Sequence, residues 1–350
     1  MHMTRIFRLN QVNPEMDMIN EAASIIRDGG IVVFPTETVY GIGADAFNAD
    51  ACRRIFAVKN RPADNPLIVH ISKLDQLDDV ASGFTEEFVK AAKILWPGPV
   101  TFILKKCRKI PDGVTAGLDT VAVRMPAHPI ALRLIDASNT AIAAPSANIS
   151  KKPSATTAEH AMEDFDGKVD AIIDGGHSTF GLESTIVDMS KTRPVLLRPG
   201  AFTVEELERY LGSIIIPESV DKEADSAIAP GMKYRHYAPD KKLVVVSDNS
   251  MLLELELDDI RKKIIVLCSN ETAERIGKGV QTLRLGSEKN LYEIAKNLFG
   301  SFRKLDSMDV ELAVIQSFPR TGIGLAIMNR ILKASDSKEV NSIEELRGYL

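Results

Sequence analysis

The sequence predicts an α/β fold in two parts, a larger one built on a mixed, twisted sheet and a smaller, doubly wound one. In the first two thirds of the chain, short β-rich runs alternate with amphipathic helical runs, which is typical of an α/β sheet. Some links between successive strands are too short to hold a helix, so we expect a mixed sheet rather than an all-parallel one. The alternation stops near Gly200 and resumes after Pro239.

The helices of the larger part are predicted from apolar residues three to four positions apart, and each strand from a short apolar run that ends at a turn. The first helix, for example, ends at Asp28-Gly29-Gly30. The predicted helices span Met18–Arg27, Ala49–Val58, Thr85–Leu95 and Ile130–Ala137. The predicted strands span Ile31–Phe34, Leu67–Ser72, Val100–Leu104, Val121–Met125, Ala141–Ala144, Ala171–Asp174 and Ser184–Asp188.

A charged, loop-like segment separates this part from a second α/β pattern. After a helix at Val204–Tyr210, residues 217–239 are not rich in Gly and Ser, and they carry Tyr234 and Tyr237. We therefore expect an ordered linker rather than a flexible tether. The domains are placed at 15–201 and 241–350, with the linker at 202–240. The predicted C-terminal strands are Leu243–Val246, Lys263–Cys268, Thr282–Leu285 and Val310–Gln316, and the helices are Leu291–Leu298 and Gly324–Lys333.

The composition is that of an ordinary globular protein. The chain has 350 residues, 26% charged and 45% apolar, with a net charge of −5, which excludes a disordered chain, a collagen-like repeat and a coiled-coil rod. A mildly acidic chain does not bind nucleic acid through its bulk charge. The three cysteines contain no Cys-x-x-Cys pair, and neither a secretory signal nor an apolar run of membrane-spanning length is present. We expect a cytoplasmic protein with reduced thiols that does not enter a membrane.

Common nucleotide and hydrolase motifs are missing from the sequence. It has no P-loop, no Gly-x-Ser-x-Gly elbow and no His-Glu-x-x-His, and neither Gly-x-Gly pair continues into the dinucleotide fingerprint. Any nucleotide must therefore be bound in another way.

Two clusters follow strands of the predicted sheet, at the end where ligands collect in open α/β folds. Residues 35–43 read Pro-Thr-Glu-Thr-Val-Tyr-Gly-Ile-Gly, where threonine hydroxyls, a carboxylate and glycines allow hydrogen bonding and a close backbone approach. Ser146 and Asn148 follow a second strand and offer neutral donors and acceptors. A tight polar turn for the first cluster, and a helix cap or Asx turn for the second, remain open alternatives.

Two further clusters combine cations with rigid or aromatic neighbours. Lys59 and Arg61 lie two positions apart in a proline-bounded loop, which suits a phosphate site, although a solvated basic loop is equally compatible. The linker sequence 230–239 interleaves aromatic and basic residues, which fits either stacking on a base or an interdomain strap. His70, alone on a strand, is more often a packed or hydrogen-bonded residue.

Taken in order, these motifs resemble the YrdC-like domain family. The resemblance rests on Pro35-Thr36-Glu37-Thr38-Val39-Tyr40-Gly41, on Lys59-x-Arg61-Pro62 and on Ser146-x-Asn148. The linker motif Pro230-Gly231-Met232-x-Tyr234-x-His236-Tyr237-Ala238-Pro239, followed by an α/β domain, looks like the two-domain form, the threonylcarbamoyl-AMP synthases. The resemblance implies a YrdC-like sheet with a concave cleft in the first domain and a Rossmann-like second domain.

The family implies an enzyme of tRNA modification, a nucleotidyltransferase that condenses L-threonine, bicarbonate or CO₂ and ATP to threonylcarbamoyl-AMP and pyrophosphate. A separate complex would transfer the threonylcarbamoyl group to tRNA, so no stable nucleic-acid binding is expected. Mg²⁺ would accompany ATP, because charge builds on phosphate oxygens during the displacement. The sequence does not say which carboxylate, if any, contacts the metal; Glu37 is considered.

The resemblance also assigns site residues one at a time. It implies catalytic cations at Lys59 and Arg61, which would hold the ATP phosphates. The other implied ATP contacts are Asn65, Thr120, Ser146, Asn148, Ser154, Arg198, Tyr234 and Tyr237. The implied L-threonine contacts are Thr38, His70, Arg124, Ala144 and Ser184, with Arg124 as the planar partner of the carboxylate.

Two other functions are compatible with the sequence. A carbamoyl-adenylate-forming enzyme could use the same kind of domain, although such proteins resemble longer chains with cysteine clusters that are missing here. An RNA-binding module could use a basic cleft, which the net charge of −5 disfavours.

Overall fold

The computed structural model describes residues 3–218, 220, 237–255 and 263–349. The described residues form two compact units. The first contains 3–150, 154–179 and 183–218 with 220, and the second contains 151–153, 180–182, 237–255 and 263–349. Residues 219 and 221–236 of the expected linker, including Tyr234, lie outside the described residues.

The first unit is built on an eleven-stranded mixed sheet with helices packed on it. Its strands are β1 Arg5–Arg8, β2 Val32–Phe34, β3 Gly41–Asp45, β4 Ile68–His70, β5 Ala81–Ser82, β6 Val100–Lys106, β7 Thr120–Arg124, β8 Ile142–Ala143, β9 Ala171–Asp174, β10 Thr185–Asp188 and β11 Val195–Arg198. They are ordered β1-β9-β2-β3-β8-β4-β7-β6-β10-β11, and β5 pairs with β6. Parallel pairs such as β4–β7 stand beside antiparallel ones such as β6–β7. The predicted mixed sheet is confirmed.

The helices of the first unit bury one apolar face each. They are α1 Met16–Arg27, α2 Ala49–Lys59, α3 Leu77–Val80, α4 Glu86–Leu95, α5 Asp112–Thr115, α6 Pro129–Ser138, α7 Ala158–Phe165 and α8 Val204–Leu211, with a 3₁₀ turn at Leu74–Gln76. Ile19 and Ile26 of α1 and Leu134 of α6 join Phe34 of β2 in one fully buried cluster. Each large apolar side chain that is fully buried stabilises the fold by about 1.5–3 kcal/mol.

The sequence predictions missed β3, which was interpreted as part of a ligand-binding loop. In the structure, Gly41–Asp45 pairs with both β2 and β8. Glycine is needed there for space: a Cβ on Gly43 would lie 2.5 Å from Ile142 Cγ2 and 2.8 Å from Phe34 Cε1. The glycines of this cluster therefore serve strand packing, and only residues 35–40 remain as a loop.

The second unit is a five-stranded parallel sheet with the predicted doubly wound alternation. Its strands are β12 Lys242–Val246, β13 Ile264–Ser269, β14 Gln281–Gly286, β15 Leu312–Ile315 and β16 Glu339–Val340, in the order β14-β13-β15-β12-β16. Its described helices are α9 Asn270–Arg275, α10 Leu291–Asp306, α11 Ile323–Ala334 and α12 Ile343–Arg347, with a 3₁₀ turn at Asn249–Leu253. Among the described residues, no helix is long and apolar enough to cross a membrane.

Candidate active site

Strand pairing brings His70 and Arg124 together at one edge of the first sheet. They are register partners at the carboxyl ends of the parallel strands β4 and β7. Strand β6 runs antiparallel to β7, and β10 is parallel to β6 with Thr185 opposite Val100. Ser184, just before β10, is therefore placed at the same edge as Arg124.

The guanidinium group of Arg124 is held at three points inside the protein. Its Nη1 donates to Thr38 Oγ1 at 2.8 Å, and its Nε donates to the main-chain oxygen of Gly98 at 3.4 Å. Its Nη2 lies 2.6 Å from Oε1 of Glu37. Arg124 and Glu37 are only 3% and 4% exposed, so this is a buried ion pair whose strength water does not screen. An oriented, buried arginine is the group expected to bind a carboxylate with two parallel hydrogen bonds.

The loop between β2 and β3 presents Thr38 to Arg124. Oγ1 of Thr36 lies 2.8 Å from Oγ1 of Thr38 and donates to the main-chain oxygen of Val39 at 2.5 Å. These bonds fix the loop, and both threonines are buried. Ala144 follows β8, and its N–H donates to the oxygen of Ile68 at 2.8 Å. The predicted threonine contacts Thr38, His70 and Arg124 thus lie close together, and Ala144 lies one strand away.

Ser184 and Arg198 form a second buried pair at this edge. Arg198 donates from Nε to the main-chain oxygen of Ser184 at 3.0 Å and from Nη2 to its hydroxyl at 3.2 Å. The same hydroxyl lies 2.7 Å from Oγ1 of Thr101. Gly200 allows this arrangement, because a Cβ there would be 2.5 Å from the carbonyl carbon of Ser184. The structure thereby joins a residue expected to bind threonine to one expected to bind ATP.

Lys59 organises the loop that carries Ser146 and Asn148. Helix α2 ends after Lys59, where Asn60 adopts a left-handed conformation with φ 51°. The buried Nζ of Lys59 donates to the main-chain oxygens of Ser146 and Asn148, both at 2.5 Å. The Ser146 hydroxyl donates to Asn148 Oδ1 at 2.6 Å. The three residues form one cluster in which the lysine charge is directed at main-chain oxygens.

Arg61 stabilises the turn that carries Asn65. Its Nη2 donates to the main-chain oxygens of Asn65 and Pro66, each at 3.0 Å, and its guanidinium lies 5.8 Å from the ring centre of Phe56. Asn65 is 1% exposed, and its Oδ1 has no hydrogen-bond partner among the described residues. A buried amide oxygen without a donor is costly, which fits a position that receives a ligand.

The remaining predicted ATP contacts are less closely grouped. Ser154 is fully buried, and its hydroxyl donates to Oε1 of Glu183 at 2.5 Å. Thr120 begins β7, whose far end is Arg124, so about 13 Å of strand separates the two. Tyr237 lies in the second unit, where its buried ring stacks on Phe299 with centroids 5.1 Å apart. The parallel pairing of β4 with β7, with Ile68 beside Ala122, places Thr120 near Pro66, the neighbour of Asn65.

Two further buried side chains lie at this site without a predicted substrate contact. Glu37 belongs to the predicted ligand-binding cluster 35–43 and was considered for a metal, and the structure pairs it with Arg124. His128 was not considered; it is 3% exposed, and neither ring nitrogen has a hydrogen-bond partner among the described residues. The position of His128 just beyond the carboxyl end of a β-rich run was the signal that could have indicated it.

Burial holds both site histidines in their neutral form. Desolvation, with a smaller effect from the Arg124 charge, lowers the pKa of His70 to about 3. Desolvation also lowers the pKa of His128 to about 4; Glu37 opposes this shift and Arg124 adds to it. Neutral imidazoles can accept or donate hydrogen bonds without adding positive charge beside Arg124.

The described residues do not by themselves form a metal centre. They include no group of three or more His, Cys, Asp or Glu side chains suited to hold an ion. Hydroxyl and amide oxygens at Ser146 and Asn148 are of the hard type that Mg²⁺ accepts, but Mg²⁺ usually needs substrate phosphates as well. The donor set therefore fits a metal that is brought by a nucleotide.

Comparisons with known proteins agree with the fold. A family model described as "Telomere recombination" matches residues 24–200, and one described as "Threonylcarbamoyl-AMP synthase, C-terminal domain" matches 202–336. Threonylcarbamoyl-AMP synthase of Pyrococcus abyssi is 49% identical, over 91% of this chain and 94% of that protein. Its counterpart in Bacillus subtilis is 41% identical, over 92% and 94%.

A solved structure matches almost the full length. The crystal structure of P. abyssi Sua5 complexed with L-threonine has a TM-score of 0.89 and 44% identity, covering 97% of this chain and 99% of that one. The two family models together cover both units of the chain, which makes it a two-domain YrdC-like protein. The chain belongs to the threonylcarbamoyl-AMP synthase family. The family and the transferase class predicted from the sequence are confirmed.

Proposed function

We propose that this protein condenses L-threonine, bicarbonate or CO₂ and ATP to threonylcarbamoyl-AMP, releasing pyrophosphate. The observation that carries the proposal is the buried grouping of Thr38, His70 and Arg124 next to Ser184 and Arg198. It offers a planar cation for a carboxylate beside hydroxyl and imidazole groups. Family membership over nine tenths of the chain supports the same reaction.

The threonine subsite consists of Thr38, His70, Arg124, Ala144 and Ser184. Arg124 binds the carboxylate, because its guanidinium is buried and oriented by three neighbours. The hydroxyls of Thr38 and Ser184 and the neutral ring of His70 supply further hydrogen bonds. Ala144 contributes backbone and a small side chain at the wall.

The nucleotide subsite consists of the remaining predicted residues. Lys59 and Arg61 act on the phosphates, and Ser146 and Asn148 are set by Lys59. The other ATP contacts proposed are Asn65, Thr120, Ser154, Arg198, Tyr234 and Tyr237. Mg²⁺ arrives with ATP and, when bound, neutralises phosphate charge in the displacement. Tyr234 lies outside the described residues, and the ring of Tyr237 stacks on Phe299.

The reaction requires no covalent nucleophile from the protein. The amine of threonine adds to CO₂ and loses a proton, which gives a carbamate. A carbamate oxygen then attacks the α-phosphorus. Pyrophosphate leaves as the bond between the α-phosphorus and the oxygen that bridges to the β-phosphorus breaks. The chain's residues orient the two substrates and stabilise the charge that develops on the phosphate oxygens. The product passes to a separate complex that modifies tRNA.

Pyrophosphate release from ATP tests the proposal. The purified protein is assayed with Mg²⁺ and bicarbonate, and with L-threonine, L-serine, L-alanine or no amino acid. We expect release that requires both L-threonine and bicarbonate and stops when EDTA removes Mg²⁺. Release without bicarbonate would contradict carbamate formation, and no release with any amino acid would contradict the enzyme. RNA binding that weakens steeply with salt would then support the binding-module alternative.

A further inference from the structure

The carboxylate of Glu37 is buried at the threonine subsite without a hydrogen-bond donor. Its Oε1 lies 2.6 Å from Nη2 of Arg124, but the contact lacks hydrogen-bond geometry, and neither oxygen has a partner among the described residues. The ring nitrogens of His128 are also buried without partners. The fold thus keeps several unused acceptors around one guanidinium group.

Such an arrangement is costly unless something fills it. A buried polar atom without a partner costs about 1–3 kcal/mol, and more when it is charged. Folded proteins satisfy the large majority of such atoms. Arg124 neutralises the charge of Glu37 but makes no hydrogen bond to its oxygens. A group with several N–H donors and a positive charge would satisfy both oxygens.

We propose that Glu37 binds the α-ammonium group of the amino-acid substrate, so that the Glu37–Arg124 pair recognises the whole zwitterion. The inference rests on the proposed function, which places the substrate carboxylate on Arg124. In an α-amino acid, the nitrogen and the carboxyl carbon are about 2.5 Å apart. In the ion pair, Nη2 of Arg124 and Oε1 of Glu37 are 2.6 Å apart, so a zwitterion can lie against the pair with its carboxylate on Arg124 and its ammonium group on Glu37.

Charge balance supports this role over two others. A neutral ion pair that receives a neutral zwitterion leaves no net charge in the interior, where an uncompensated charge is strongly destabilising. A metal role for Glu37 is disfavoured, because the Arg124 cation already faces it. The other alternative, that Glu37 only positions Arg124, leaves both carboxylate oxygens without donors. His128 stays neutral at pH 7 and does not repel an ammonium group.

Ligand pairs that differ only in the ammonium group test the proposal. Dissociation constants are measured by titration calorimetry for L-threonine and for the corresponding 2,3-dihydroxybutanoate, in which a hydroxyl replaces the ammonium. We expect wild-type protein to prefer L-threonine by about 100-fold, which corresponds to a charged hydrogen-bonded contact. Glu37→Gln should reduce this preference to less than about tenfold. Glu86→Gln, at an exposed position on α4, is the matched control and should keep the wild-type preference.

The outcomes separate this inference from the proposed function. If Glu37 only positions Arg124, the variant will weaken both ligands equally, the preference will not change, and the inference is overturned. Equal binding of both ligands by wild-type protein overturns it even if the variant fails to fold. If wild-type protein prefers L-threonine and Glu37→Gln keeps that preference, the threonine site stands and only Glu37 loses its role. No binding of L-threonine at all overturns the proposed function itself, and the inference with it.

Discussion

Lys59 and Ser146 are joined by a partly buried hydrogen bond of 2.5 Å between the lysine Nζ and the serine main-chain oxygen. The same Nζ donates to Asn148, so one ammonium group fixes a whole turn. The family resemblance assigned Lys59 to the ATP phosphates, and the structure adds a second role. Lys59 shapes the turn that presents the Ser146 hydroxyl and the Asn148 amide.

Replacing Lys59 should therefore affect stability and turnover together. Lys59→Met keeps the length and apolar stem but leaves two buried carbonyl oxygens without their charged donor. We expect the free energy of unfolding to fall by about 3 kcal/mol, measured by urea titration with the fluorescence of Trp96, the single tryptophan. Pyrophosphate release should fall to background. Lys93→Met, on the exposed side of α4, is the control. Unchanged stability would show that Lys59 does not hold the turn.

Arg124 offers a more selective test of the substrate subsites. Lysine at this position cannot reach Gly98, Thr38 and Glu37 at once, because it lacks the planar fork. We expect Arg124→Lys to weaken L-threonine binding by about 10–100-fold and to leave ATP affinity unchanged, as measured by calorimetry. Arg209→Lys, exposed on α8, should change neither affinity. Equal weakening of ATP would mean that Arg124 serves the nucleotide instead.

The strand ends were the best guide that the sequence offered to this site. Apolar runs ending at Phe34 and near Arg124 and Ala144 predicted the sheet edge where polar groups collect, and the motif resemblance supplied the individual roles. The hydrophobic pattern did not predict β3, because this strand contains glycines. Glycine is needed at position 43 because Ile142, which is distant in sequence, packs closely against it. Register between β4 and β7, which sets His70 beside Arg124, also depends on long-range pairing.

Charged residues were harder to interpret than strands. Glu37 lies within a recognised motif, but it pairs with Arg124, which is far away along the chain. His128 has no motif around it, and a lone histidine carries little information until its burial is known. Site residues contributed through the tertiary fold alone therefore escaped the sequence analysis.

The buried histidines should make the first unit sensitive to acid. An unfolded histidine has a pKa near 6.5, whereas burial lowers the pKa of His70 to about 3 and that of His128 to about 4. Between these folded pKa values and 6.5, the unfolded chain binds more protons than the folded one. The free energy of unfolding is therefore unaffected by these histidines above pH 6.5 and falls as the pH drops toward 4. Each group contributes a loss of about 1.4 kcal/mol per pH unit.

Removing one of these histidines tests the origin of the acid sensitivity. The free energy of unfolding of the His128→Gln variant is measured by urea titration at pH 7, 6, 5 and 4.5, followed by Trp96 fluorescence. We expect it to fall less steeply with decreasing pH than in wild-type protein, by about 1.4 kcal/mol per pH unit. His177→Gln changes an exposed ring and should leave the slope unchanged. A His128→Gln slope equal to that of wild-type protein would mean that other groups, such as His70 or the carboxylates, govern the acid response.

Gly200 tests whether the packing behind Ser184 matters for the site. A Cβ at this position would lie 2.5 Å from the carbonyl carbon of Ser184 and 2.6 Å from the main-chain oxygen of Glu183. Backbone atoms cannot swing aside as the end of a flexible side chain can, so Gly200→Ala must displace β10 or the Arg198 strand. We expect a loss of about 1–3 kcal/mol in the free energy of unfolding and weaker binding of L-threonine, because the Ser184–Arg198 hydrogen bonds would be disturbed.

Gly113→Ala is the control: nothing lies within 4 Å of its Cβ position, and alanine in a helix should be neutral or stabilising by up to about 1 kcal/mol. If Gly200→Ala were as stable as Gly113→Ala and bound L-threonine normally, the close approach would be incidental, and the position of Ser184 would have to be set by Thr101 and Arg198 alone.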